Sequence, residues 1–162
     1  MQTRRLGSSD MDITAVGFGM GAIAWLDDSS WIRARGDAQG ALRRALELGV
    51  NWIDAALWGH SIEHSAARVI EGWPGEKPYV FTRCVRYRST REGLEVSVPF
   101  DAVGIRRACE DSLRDLQPHA IDLYVADLPP GLDPDWSSNA WWTMAQLQRE
   151  GKVRWIGLGD CD

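Results

Sequence analysis

Short apolar runs alternate with amphipathic helical stretches along this 162-residue chain, and that alternation restricts it to one kind of architecture. Thr3 to Leu6 and Met11 to Ile13 read as a hairpin turned at Gly7-Ser8-Ser9-Asp10. Thr14 to Phe18 reads as a first buried strand. A helix begins after Asp37, its expected N-cap, carries Ala41, Leu42, Ala45, Leu46 and Leu48, and stops at Gly49. Val50 to Asp54 is the second strand and Ile62 to Glu71 the second helix. Tyr79 to Thr82 is the third strand. A third helix starts near Pro99-Phe100-Asp101, spaces Ala102, Ile105, Cys109, Leu113 and Leu116 along one face, and ends before Pro118. Ile121 to Ala126, Asn139 to Glu150 and Val153 to Leu158 follow as strand, helix and strand, with Gly151 stopping the helix. Such alternation means βαβ units and a parallel sheet.

Composition narrows the function classes. A net charge of −5 and an apolar fraction of 44% describe a globular, acidic chain, expected to be a single domain over residues 1–162. An acidic surface argues against nonspecific nucleic-acid binding, which needs a basic face. No continuous apolar window is long enough to span a membrane. The N-terminus lacks the apolar core of a signal peptide. Cys84, Cys109 and Cys161 lie far apart without metal spacing and read as reduced thiols in a cytoplasm. Nine of the fifteen aromatic residues are Trp. Trp25, Trp31, Trp58 and Trp136 fall in or beside expected loops, where they would line a pocket or an interface.

The segment Asn51-Trp52-Ile53-Asp54-Ala55-Ala56-Leu57-Trp58-Gly59 resembles the "NWIDTA…YG" stretch of aldo-keto reductases. "RRLG", "LRRALELGVNWID", "SLRDL…IDLY" and "LxREGKVRWIG" extend the resemblance over nearly the whole chain. It implies an α/β fold: a partial, half TIM-type (β/α) barrel with an N-terminal hairpin and five of the eight strands. Those enzymes reduce carbonyls with NADPH through an Asp, a Tyr, a Lys and a His. Here the Asp is Asp54, but the other positions align with Trp58, Arg83 and Asp127. The family's "SN" after strand five, which meets the nicotinamide amide, reads Gly159-Asp160. Trp58 is no practical acid, so the resemblance implies a scaffold without its usual redox chemistry and without a cofactor.

Asp54, Arg83, Asp127 and Asp160 fall at the C-terminal ends of successive parallel strands, where barrel proteins keep their chemistry. Two readings stand side by side. One is a salt-bridge network in which Arg83 neutralises Asp54. The other is an acid/base site, with Arg83 holding an anionic oxygen. His60 is a candidate proton donor beside Trp58. Trp25, Trp58, Asp160 and Arg86 are candidate substrate contacts. His60-Ser61-Ile62-Glu63-His64 matches H-x-x-E-H, but the absence of a third ligand makes it a coincidence and no metal is expected. Gly17-Phe18-Gly19-Met20-Gly21 lacks phosphate-loop spacing, and the resemblance, through a similar "GLG" at the family's first strand, implies a close-packing role. The stretch from Cys84 to Pro99 is long for a βα connection; a small hairpin lid and a solvated loop are equal alternatives.

Three functions follow as expectations. The first is a redox-inactive lyase, cyclase or isomerase acting on an aromatic or polyketide-like small molecule. The second is a non-catalytic partner protein. The third is a truncated NADPH-dependent aldo-keto reductase. An open sheet with two exposed edges is expected to be covered by a second copy, as a homodimer.

Overall fold

The computed structural model describes residues 1–20, 31–55, 60–84, 87–90, 93–96, 101–117, 121–127 and 134–159. Strands β1 (Thr3–Arg5) and β2 (Asp12–Thr14) pair antiparallel in the expected hairpin, Thr3 opposite Thr14. Gly7, at φ 53°, takes the left-handed conformation that this turn needs. A five-stranded parallel sheet follows in the order β3 (Phe18–Gly19), β4 (Trp52–Asp54), β5 (Tyr79–Arg83), β8 (Ile121–Asp127), β9 (Val153–Gly159). Helices α1 (Trp31–Glu47), α2 (His60–Glu71), α3 (Ala102–Asp115) and α4 (Pro134–Arg149) fall between its strands. Strands β6 (Tyr87–Thr90) and β7 (Gly93–Val96) form an antiparallel hairpin rather than an irregular loop.

Local signals placed several boundaries. Asp101 caps α3, its carboxylate accepting from Gly104 N at 2.8 Å. Gly49 (φ 88°) and Gly151 (φ 72°) adopt the left-handed conformation that stops α1 and α4. Pro134 opens α4, where its missing N–H costs nothing.

Other boundaries differ from expectation. Thr14 to Phe18 is not one buried strand: Thr14 closes β2, Val16 is 60% exposed, and only Phe18 and Gly19 join the sheet. Tertiary contacts decide this. Ala15 N bonds Gln2 O at 3.0 Å, and Thr14 N bonds the Asn51 side chain at 2.8 Å, so the segment follows the hairpin. The first helix starts at Trp31 rather than after Asp37, and the fourth at Pro134 rather than Asn139. Trp31 and Trp136 are therefore helical, not loop, residues.

The core lies between sheet and helices. Ile53, Val80, Tyr124 and Ala126 on the strands pack with Leu42, Ile70, Ile105, Met144 and Leu147 from the helices, all buried. The Tyr124 hydroxyl donates to Ile105 O at 3.0 Å, which satisfies a polar group inside that core. The opposite face of the sheet carries Trp52 stacked on Phe81, ring centroids 5.0 Å apart. A Cβ on Gly17 would overlap the Trp52 indole, so this glycine serves close packing, as expected. No helix among the described residues is long and apolar enough to cross a membrane.

Candidate active site

Parallel register staggers the C-terminal ends of β4, β5 and β8 by two residues from strand to strand, while β8 and β9 end level. Asp54 lies opposite Phe81, Arg83 opposite Val125, and Asp127 opposite Gly159. Side chains alternate across a strand, and Asp54, Arg83 and Asp127 share the face of the sheet away from the helices. There they meet. Arg83 Nη2 and Nε donate to Asp54 Oδ2 at 2.8 and 3.2 Å, and Nη1 donates to Asp127 Oδ1 at 2.6 Å. The guanidinium is thus held from two sides, with three of its five N–H groups committed.

Burial separates the three groups. Asp127 is the most enclosed, its side chain 6% exposed, against 22% for Asp54 and 27% for Arg83. Partial burial pulls the Arg83 guanidinium downward, but the hydrogen bond and charge of Asp54, and then Asp127, outweigh this and hold it above its ordinary value. Arg83 is permanently charged and moves no proton. Behind the cluster, Cys84 is buried. Desolvation, and then the negative charge of Asp127, push its thiol up to about 12. It stays protonated and is no nucleophile.

The structure therefore brings together Asp54, Arg83 and Asp127. His60 is the first residue of α2, with its side chain outside what is described. Trp25, Trp58, Arg86 and Asp160 lie outside the described residues. The H-x-x-E-H pattern is dispersed: the Thr82 hydroxyl donates to Glu63 at 2.9 Å, while His64 faces Asp115 at 3.5 Å. No cluster of three or more potential metal ligands occurs among the described residues.

Sequence reasoning chose Asp160 and passed over its neighbour Gly159. A Cβ on Gly159 would overlap Asp127 Oδ1 and lie 3.5 Å from Arg83 Nη1. Only the β8–β9 register reveals this proximity, because nothing local in Gly157-Leu158-Gly159 refers to a residue 32 positions away.

Comparison with known proteins places this geometry in a lineage. The model of the aldo/keto reductase family matches residues 15–162. L-galactose dehydrogenase of Arabidopsis thaliana is 28% identical over 98% of this chain and 48% of its own length. An aldo-keto reductase of Bacillus halodurans in its holo form superposes with a TM-score of 0.76 at 26% identity, covering 98% of this chain and 50% of that one. The glycerol dehydrogenase of Gluconobacter oxydans has the same fold, with a TM-score of 0.76 at 24% identity over 97% of this chain and 48% of that one. The chain spans about half the length of these relatives. These matches overturn the expectation of a redox-inactive lyase, cyclase or isomerase. The relatives are reductases and dehydrogenases, and nothing in the strand-end geometry calls for a different reaction class. That expectation gave too much weight to the lost Tyr, Lys and His, and too little to a retained Asp54 held by a cation on the next strand. The fold is that of a partial TIM-type barrel, and the chain belongs to the aldo/keto reductase family.

Proposed function

We propose that residues 1–162 form a single unit supplying half of an aldo-keto reductase barrel, and that the assembled protein interconverts a carbonyl and an alcohol with a nicotinamide cofactor. The Asp54–Arg83–Asp127 cluster, at the ends of three adjacent strands, carries this reading. With one cation and two carboxylates its formal charge is −1, which would repel a cofactor's phosphates. It suits the nicotinamide end instead, which is neutral when reduced and cationic when oxidised: a carboxamide offers both an acceptor for Arg83 and donors for Asp127. The described half therefore fits the nicotinamide ring, and the phosphates would need cations from elsewhere in the barrel.

When bound, the cofactor supplies or accepts the hydride. Arg83 would orient and polarise the reacting oxygen through the N–H groups that Asp54 and Asp127 leave over. It cannot donate a proton, so a second group must. His60, which opens α2 after the strand bearing Asp54, is the proposed donor. Trp25, Trp58, Arg86 and Asp160 are proposed to line the substrate side. A net negative cluster disfavours anionic substrates, and the sugar-dehydrogenase relative likewise favours a neutral, hydroxylated small molecule.

Among the described residues the edges of the sheet are β3 and β9. Completing a barrel requires further strands beside them, from a longer chain or from a second copy in a homodimer. The free, buried Cys84 and Cys109 support a reducing, cytoplasmic setting.

The test is direct. Nicotinamide absorbance should change when the protein is mixed with NADPH and a panel of aldehydes, or with NADP⁺ and L-galactose. No turnover in either direction, with no saturable quenching of Trp fluorescence by the nucleotide, would reject the reading. His60→Ala should lower turnover by about 10²-fold or more while nucleotide binding is retained. Unchanged turnover would place the proton donor elsewhere.

A further inference from the structure

We propose that Gly159 is a positioning residue for Arg83, acting through Asp127. The inference rests on the oxidoreductase reading for its catalytic consequence, while its structural part stands on geometry alone.

Asp127 and Gly159 are direct neighbours in the parallel register of β8 and β9. The carboxylate occupies the space that any side chain at position 159 would fill. A Cβ there would overlap Asp127 Oδ1, sit 3.1 Å from Val125 Cγ1, and come within 3.5 Å of Arg83 Nη1. Backbone conformation gives no reason for the glycine. Gly7, Gly49 and Gly151 are the positive-φ glycines among the described residues, and Gly159 is not one of them. What position 159 requires is empty space. Gly157, two residues earlier on the same face, provides a contrast. A Cβ there would meet Leu123 Cδ1 and Val125 Cγ2 at 3.6 and 3.9 Å, ordinary contact distances.

The consequence runs through Arg83. With Asp127 in place the guanidinium is fastened at Nη1 as well as at the Nε–Nη2 edge. If Asp127 is displaced, Asp54 becomes a hinge about which the planar fork can swing. Gly159 thus sets the direction of a cation that never changes charge, and only its aim is adjustable.

The test is a double-mutant cycle on the full chain, comprising Gly159→Ala, Asp127→Ala and the pair, with Gly157→Ala as control. Two readouts are followed: solvent exchange of the Arg83 Nε–H by NMR, and kcat and KM on the substrate found above. Gly159→Ala should speed Arg83 exchange and lower kcat on the order of 10²-fold, the cost of misplacing a reacting group by about 1 Å, with KM changing less. In the Asp127→Ala background the same substitution should alter either readout by no more than about twofold, because the space is already vacated. Gly157→Ala should resemble the parent. Should Gly159→Ala fail to fold, the paired variant should fold; failure of both would overturn the proposal. Equal effects of Gly159→Ala in both backgrounds would also overturn it, as would faster exchange in Gly157→Ala equal to that in Gly159→Ala. If the parent turns over no substrate, the oxidoreductase reading falls, while the Arg83 exchange cycle still decides the role of Gly159.

Discussion

The two ends of the parallel sheet carry the same constellation, an arginine between two aspartates, in different surroundings. At the C-terminal end Arg83 joins Asp54 and Asp127. At the N-terminal end Arg154 donates to Asp122 Oδ1 at 2.6 Å and to Asp10 Oδ2 at 2.8 Å. The lower cluster is woven into the backbone: Asp122 Oδ2 accepts Val80 N at 2.8 Å, and Asp10 Oδ1 accepts the Trp155 indole N–H at 3.0 Å. That indole bond, with the charge of Arg154, keeps the Asp10 carboxyl below its ordinary value. Asp10 belongs to the turn of the N-terminal hairpin, so the cluster latches that hairpin onto β9. It is also open to water, with Asp10 65% and Arg154 40% exposed. The upper cluster sits deeper and joins strand ends rather than a hairpin to a sheet. Identical residue types therefore serve a structural latch at one end and a candidate site at the other. Position on the strand and depth, not composition, make the difference.

The sharpest way to break that comparison is to remove each arginine. Arg83→Ala leaves Asp127 enclosed beside Asp54 without their shared cation, and should cost about 3 kcal/mol in denaturant unfolding. Arg154→Ala leaves carboxylates that water can reach, and should cost about 1 kcal/mol or less. Equal losses would mean that the two clusters do the same work.

A smaller effect separates them by location. Asp10→Ala should raise hydrogen exchange at Thr3–Arg5, as the hairpin loses its tie to β9, while Arg83 stays ordered. The hairpin is held at its other side by Asn51, whose side chain bonds Thr14 N and Asp12 O at 2.8 Å each, so it should loosen rather than detach. An unchanged exchange rate would show that the ties from Asn51 and the Trp52 indole, which donates to Thr14 O at 2.9 Å, suffice.

The smallest expected effect concerns pH, in the outer helical layer. Hydrogen bonds from Arg106 and Lys152 pull the Glu150 carboxyl down to about 2 from its usual 4.5. A depressed carboxyl stabilises the fold above its unfolded value, and that contribution disappears as pH falls from 4.5 through about 2. Glu150→Gln should thus be slightly less stable than the parent at pH 6, and the gap should close near the lower limit. A gap that persists in acid would show that Glu150 acts through something other than its charge.

Much of the fold was legible because its signals are local. Asp101, Gly49 and Gly151 mark helix ends through their own backbone chemistry, and Ile105, Cys109 and Leu116 of α3 reach the core as expected, whereas Ala102 is exposed. Thr14 to Phe18 was misread because an apolar run cannot show that a hairpin and Asn51 will claim its first residues. The early starts of α1 and α4 were missed for a related reason: a residue such as Asp37 is a good cap, but a cap signal counts only where the helix actually begins. In the candidate site, Asp54, Arg83 and Asp127 were legible as strand-end positions, but the pairing of Arg83 with Asp54 was only one of two readings and that with Asp127 was not specified. Gly159 was not.

The sequence by itself determined the alternation of strands and helices, the parallel sheet and the family, since these follow from periodicity and motifs read along one segment at a time. Tertiary structure alone decided which charged residues meet. Arg83 is 29 residues from Asp54 and 44 from Asp127, and only the registers of adjacent strands bring them within hydrogen-bond reach. It also decided that the Arg154 cluster, built from the same residue types, would brace the hairpin. A register shift of one residue turns every side chain to the other face of the sheet. The candidate site is therefore a property of how the strands align, which no single strand encodes.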